Sequence, residues 1–128
     1  PYMSEDELRK QMDEGVVFWC YEEAEKVIGV MGIQPKKDVT LIRHAYVRTA
    51  NGKKGIGGKL LNHLRATAGT PILIGTWAAA RWAIDFYKKN GFRLLSKAEI
   101  LRLLPKYWNI SARQIETSVV LASEDWNE

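Results

Sequence analysis

The sequence predicts a mixed α/β fold with a central, mostly antiparallel sheet flanked by helices, in one domain over residues 1–128. Three observations carry this expectation. Branched and aromatic residues fill three short runs between residues 16 and 47, separated by polar turns. After a glycine-rich turn at residues 51–58 the apolar spacing changes to that of a helix. The short apolar run Pro71-Ile72-Leu73-Ile74-Gly75 then suits a strand buried on both faces.

Each element has its own signals. Ser4-Glu5-Asp6-Glu7 has the form of a capping box, Leu8 and Met12 share a helical face, and Gly15 suits the stop. Strands are expected over Val16–Tyr21, Val27–Gln34 and Val39–Val47, as an antiparallel meander turned by Glu22–Lys26 and by Pro35–Asp38. Leu60, Leu61, Leu64 and Ala68 mark the inner face of a second helix ending at Gly69. A third helix is expected over Ala78–Lys89, with Trp82, Ala83 and Phe86 inward and Asn90-Gly91 as its stop. A strand over Phe92–Leu95, a helix over Ala98–Leu104 ended by Pro105, and a strand over Glu116–Ala122 complete the pattern.

Composition narrows the functional classes. The chain has 128 residues, of which 46% are hydrophobic and 27% charged, the profile of a globular domain with an ordinary core. The net charge of +4 is compatible with an anionic ligand. Basic residues are interspersed with acidic ones, and no aromatic-basic surface repeat is seen, so nucleic acid is not expected as a partner. Cys20 is the single cysteine and cannot form an internal disulfide, which fits a reducing, cytoplasmic location. No apolar run approaches the length of a membrane span, and the start lacks a signal-peptide pattern. His44, His63 and Cys20 show no metal-ligand spacing, so no metal is expected.

Asn51-Gly52-Lys53-Lys54-Gly55-Ile56-Gly57-Gly58-Lys59-Leu60 joins a strand to a helix through a bare, basic turn. Such a turn binds phosphate because the first helix amides lack partners, the dipole favours an anion, and glycine lets a ligand approach the backbone. Leu60 stands where a Walker loop needs a hydroxyl and where a dinucleotide fingerprint needs its third glycine, so neither signature fits. A solvated loop made soluble by its lysines is the competing reading of these residues.

A second constellation runs from Ala80 through Ala83 and Tyr87 to Gly91-Phe92. Together the two resemble the GNAT superfamily of acyl-CoA N-acyltransferases. That family carries an Arg/Gln-x-x-Gly-x-Gly/Ala turn after its fourth strand, and later an Asn-x-x-Ala-x-x-x-Tyr-x-x-x-Gly-Phe helix. Gly52 stands for the Arg or Gln that opens the first motif, and Ala80 for the Asn that opens the second. Gly75 stands where some members carry a carboxylate, and the family's first strand and helix have no counterpart before Tyr2.

The resemblance implies acetyl-CoA as cosubstrate and transfer of its acetyl group to a primary amine, of a small molecule or a peptide, by direct attack in a ternary complex. It implies that backbone amides of Ala45, Tyr46 and Val47 align the thioester arm. It places the pyrophosphate on Lys53, Lys54, Gly55, Ile56, Gly57 and Gly58. Tyr87 becomes the general acid: a phenol at about pKa 10 donates to a thiolate whose conjugate acid lies at about 8.5, a gap that a nearby dipole or cation narrows. His44 is the candidate general base, with a water relay as its alternative. Arg43 is a candidate for holding a substrate carboxylate, and Trp77 for walling the acceptor site. The missing Arg/Gln, Asn and carboxylate motivate a second reading, a non-catalytic acyl-CoA-binding or sensor module. An absent edge strand would leave pairing groups exposed, which favours a homodimer.

Overall fold

The computed structural model describes residues 5–23, 26–47, 55–108 and 112–127. Mixed α/β architecture is what it shows, in two compact units, Pro1–Thr67 and Ala68–Glu128.

The first unit begins with α1 (Glu5–Asp13), followed by β1 (Val17–Glu23), β2 (Lys26–Pro35), β3 (Thr40–Val47) and α2 (Ile56–Thr67). Ser4, the expected cap of α1, lies outside the described residues. At its other end α1 closes as the glycine predicts. Gly15 takes a φ of +95°, its amide donates to the carbonyl of Met12, and the amide of Val16 reaches back to Gln11. The three strands form the expected antiparallel meander, β1 pairing with β2 and β2 with β3. Phe18 lies directly opposite Gly32, and a Cβ on Gly32 would stand 2.8 Å from the phenyl ring. Glycine is therefore what lets the ring lie across the ladder. α2 packs on this sheet through Leu60, Leu61 and Leu64, each at most 6% exposed. A fully buried leucine contributes about 1.5–3 kcal/mol, so this stripe anchors the helix start that matters below.

The second unit contains β4 (Ile72–Trp77), α3 (Arg81–Lys89), β5 (Arg93–Leu94), α4 (Lys97–Tyr107), α5 (Ala112–Thr117) and β6 (Ser118–Ala122). β6 lies between β4 and β5, antiparallel to both. Ile72, Leu73 and Ile74 of β4 meet Val120, Leu121 and Ala122 of β6 in the core, all at most 3% exposed. Buried Ser123 closes the ladder. Its hydroxyl accepts from the amide of Ile72 at 2.8 Å and donates to Asp125, while its own amide donates to the carbonyl of Ile72.

Four expectations need correction. α3 starts at Arg81 because Ala78–Ala80 form a turn, with the amide of Ala80 bonded to the carbonyl of Trp77. Its buried face is Ala83, Ile84 and Tyr87, while Trp82 is 78% exposed and Phe86 half-buried. The rotation follows from i, i+3 and i+4 spacing around Tyr87, which outweighs the size of the indole. α4 continues through Pro105 to Tyr107. The proline has no N–H to offer the carbonyl of Leu101, a residue that is 50% exposed and open to solvent, and it stands in the last turn, where few further bonds depend on it. Residues 112–117, expected as loop and strand start, form α5 instead, and β6 begins at Ser118.

Candidate active site

In the first unit the candidate residues lie on β3 and at the start of α2. Gly32 pairs with His44 but Ile33 pairs with Ile42, so Arg43 is the extra residue of a β-bulge. A bulge interrupts the ladder and re-aims the side chains beside it. Ala45, Tyr46 and Val47 continue the strand opposite Met31, Val30 and Gly29. Arg43 is half-buried, and its guanidinium donates to the side-chain oxygen of Gln34 at 3.0 Å. Gln34, 6% exposed, in turn donates its amide to the carbonyl of Glu14 at 2.7 Å. Sequence reasoning missed Gln34; a lone amide side chain closing the apolar run Val27–Ile33 was the available signal.

Lys53 and Lys54 lie outside the described residues. Gly55 lies within them, with a φ of +72°, and its carbonyl accepts from the amide of Lys59 at 3.0 Å. Gly55 therefore acts as the N-cap of α2, and the amides of Ile56, Gly57 and Gly58 have no intrahelical acceptor. The first turn holds no acidic residue, and Gly57 and Gly58 are only half-buried. Amide donors, a positive dipole end and no Cβ to obstruct approach suit a phosphate or pyrophosphate. His63, on the exposed side of the same helix, sits with its ring 4.7 Å from that of Trp19 on β1, edge to face.

In the second unit Tyr87 is 7% exposed and ringed by aromatics, with Phe86 at 5.3 Å and Phe92 at 6.0 Å between ring centres. The spacing Tyr-x-x-x-Gly-Phe has a structural cause. Gly91, at φ +89°, donates to the carbonyl of Lys88, and the amide of Phe92 reaches back to that of Tyr87. This is a Schellman closure, in which the residue after the glycine packs on the residue five positions earlier, here Phe92 on Tyr87. Asn90 adds a side-chain bond to the carbonyl of Phe86 at 2.8 Å. The closure fixes the backbone and ring of Tyr87, leaving the hydroxyl as the part its spacing does not explain.

Gly75 of β4 is covered by the Trp108 indole, and a Cβ there would stand 3.1 Å from the ring. Trp108 is 8% exposed, so any side chain at position 75 would displace a buried indole. Trp77, at the end of β4, is 71% exposed and available to a ligand. Among the described residues no three metal-ligating side chains cluster, and no helix is long and apolar enough to cross a membrane.

Comparison with known proteins follows the same lines. Residues 14–94 match the family model described as an acetyltransferase (GNAT) domain. That span contains the bulge, the start of α2, Tyr87 and its closure. No curated protein matches the chain. Among solved structures, the chain is similar to the IAA acetyltransferase of Bacillus cereus, at 23% identity and a TM-score of 0.70, over 94% of this chain and 84% of that one. A GNAT family acetyltransferase from Elizabethkingia anophelis with acetyl-CoA bound gives 21% identity and a TM-score of 0.70, over 94% and 83% of the two chains. Arabidopsis thaliana Naa50, in complex with the bisubstrate analogue CoA-Ac-MVNAL, gives 20% and 0.68, over 95% and 82%.

Proposed function

We propose, from the premise that this chain belongs to the GNAT acetyltransferase family, that it transfers the acetyl group of acetyl-CoA to a primary amine by direct attack in a ternary complex. The observation that carries the reading is the start of α2. A positive-φ glycine cap, three amides with no acceptor inside the helix and a first turn without acid together fit the diphosphate of coenzyme A. The acetyl-CoA-bound and CoA-analogue-bound structures of similar fold support the cosubstrate.

Acetyl-CoA supplies an acyl carbon activated as a thioester. This chain's residues supply the rest. Amides of Ile56, Gly57 and Gly58 hold the diphosphate, assisted by the charges of Lys53 and Lys54. The backbone of Ala45, Tyr46 and Val47 orients the thioester and donates to the oxygen that becomes negative as the amine attacks. His44, or a water chain reaching solvent, accepts the proton the amine must lose. Tyr87 gives its phenolic proton to the departing sulfur, and Trp77 walls the acceptor side.

Thiol release from acetyl-CoA over a panel of primary amines tests the reading. Saturable turnover with at least one amine is expected, reduced about 10²–10⁴-fold by Tyr87→Phe. Saturable acetyl-CoA binding without turnover on any amine would overturn it in favour of a binding module.

A further inference from the structure

The geometry points to an acceptor amine that carries a carboxylate, read by Arg43, with Gln34 as the residue that positions the guanidinium; the inference rests on the acetyl-transfer reading above. A buried side-chain amide is costly unless both its ends are bonded, and Gln34 meets that condition in one orientation. Its N–H donates to the carbonyl of Glu14, so its oxygen must face Arg43. The Glu14 carbonyl is itself fixed, because it lies between the end of α1 and the positive-φ turn at Gly15. Arg43 is thus held by a chain of two hydrogen bonds that starts in the backbone.

A neutral amide leaves the guanidinium charge intact. Among the described residues no carboxylate pairs with Arg43, although it is half-buried. A partly desolvated cation held by a neutral group, with further N–H donors in a planar fork, is organised to receive a planar anion. The bulge makes Arg43 the extra residue immediately before His44. Adjacent strand positions are about 3.3 Å apart, so Arg43 stands about 7–13 Å before the segment Ala45–Val47 along β3. The acceptor class is therefore an amine that carries a carboxylate at a distance from the reacting nitrogen.

The experiment compares amines offered as free acids and as their neutral amides. Wild-type kcat/KM should favour acids by about tenfold or more, chiefly through KM. Arg43→Gln should raise the KM of the acids by about tenfold to a hundredfold, with the KM of acetyl-CoA changed less than about twofold. Arg43→Lys, which keeps charge but loses the fork, should fall between. Gln34→Met, similar in size but unable to bond, should lower the acid-to-amide ratio by about threefold to tenfold, a change that destabilisation alone does not produce. Equal use of acids and amides by the wild type would overturn the inference and leave acetyl transfer standing. A rise in the KM of acetyl-CoA matching that of the acid would also overturn it, assigning Arg43 to a cosubstrate phosphate. Failure of every amine in either form would remove both readings.

Discussion

On the proposed reading Tyr87 meets two demands with different atoms. Its ring and carbonyl belong to the closure of α3, through Phe92 and Gly91, while the proposed proton transfer is assigned to its hydroxyl. Replacement by phenylalanine should therefore separate them. The thermal midpoint should fall by no more than a hydrogen bond's worth, about 1 kcal/mol, while turnover falls by orders of magnitude. Parallel melting and thiol-release assays on one preparation check both. Gly75 shows the opposite case, a residue defined by what it lacks. Gly75→Ala brings a methyl group to 3.1 Å from Trp108, so the buried indole must yield by a few tenths of an ångström, and the stability read from the denaturation midpoint should fall by about 1 kcal/mol where it cannot. Gly91 was legible in the sequence as the stop of α3, whereas Tyr87 was singled out by the resemblance alone. Gln34 was not, since only the register of β2 on β3 brings it to Arg43.

At the scale of elements, the substituted family positions have mechanical consequences. Ala80 occupies the N-cap of α3 and provides no side-chain bond, although the amides of Ala83 and Ile84 both turn to its carbonyl. An asparagine there would cap the helix. Ala80→Asn is expected to raise stability by about 0.5–2 kcal/mol, measured by urea unfolding. At α2 the effect runs the other way. Gly55→Ala has open space for its methyl group but a φ of +72°, so it should cost about 1–2 kcal/mol and raise the KM of acetyl-CoA by distorting the amides beyond it. Sequence reasoning recovered the meander and the glycine stops of α1 and α3, because alternation and positive-φ stops are local signals; the stop expected at Gly69 is not one, since α2 ends at Thr67 and that glycine takes no positive φ. It missed the capping box of α4, in which the Ser96 hydroxyl accepts from the amide of Glu99 and the Glu99 carboxylate accepts from that of Ser96. It also read Pro105 as a stop, yet a proline in an exposed last turn loses only one bond.

Across the whole molecule, the net charge of +4 would draw in the proposed anionic cosubstrate before any contact forms. The KM of acetyl-CoA should therefore rise several-fold between about 0.02 and 0.3 M salt, with kcat nearly constant, in a steady-state series at fixed pH. Fold class was readable from periodicity, and the family from two motifs. The bulge at Arg43 was not, because it is defined by the register of β2 on β3, which neither strand specifies alone. The structure divides the five tryptophans by exposure. Trp108 and Trp126 are at most 8% exposed, whereas Trp77 and Trp82 exceed 70%. The protein consequently carries two sets of native fluorophores. A soluble collisional quencher should silence the outer pair in the folded state, and the remaining emission, from half-buried Trp19 on β1 and buried Trp108 and Trp126, would then follow unfolding without any added dye.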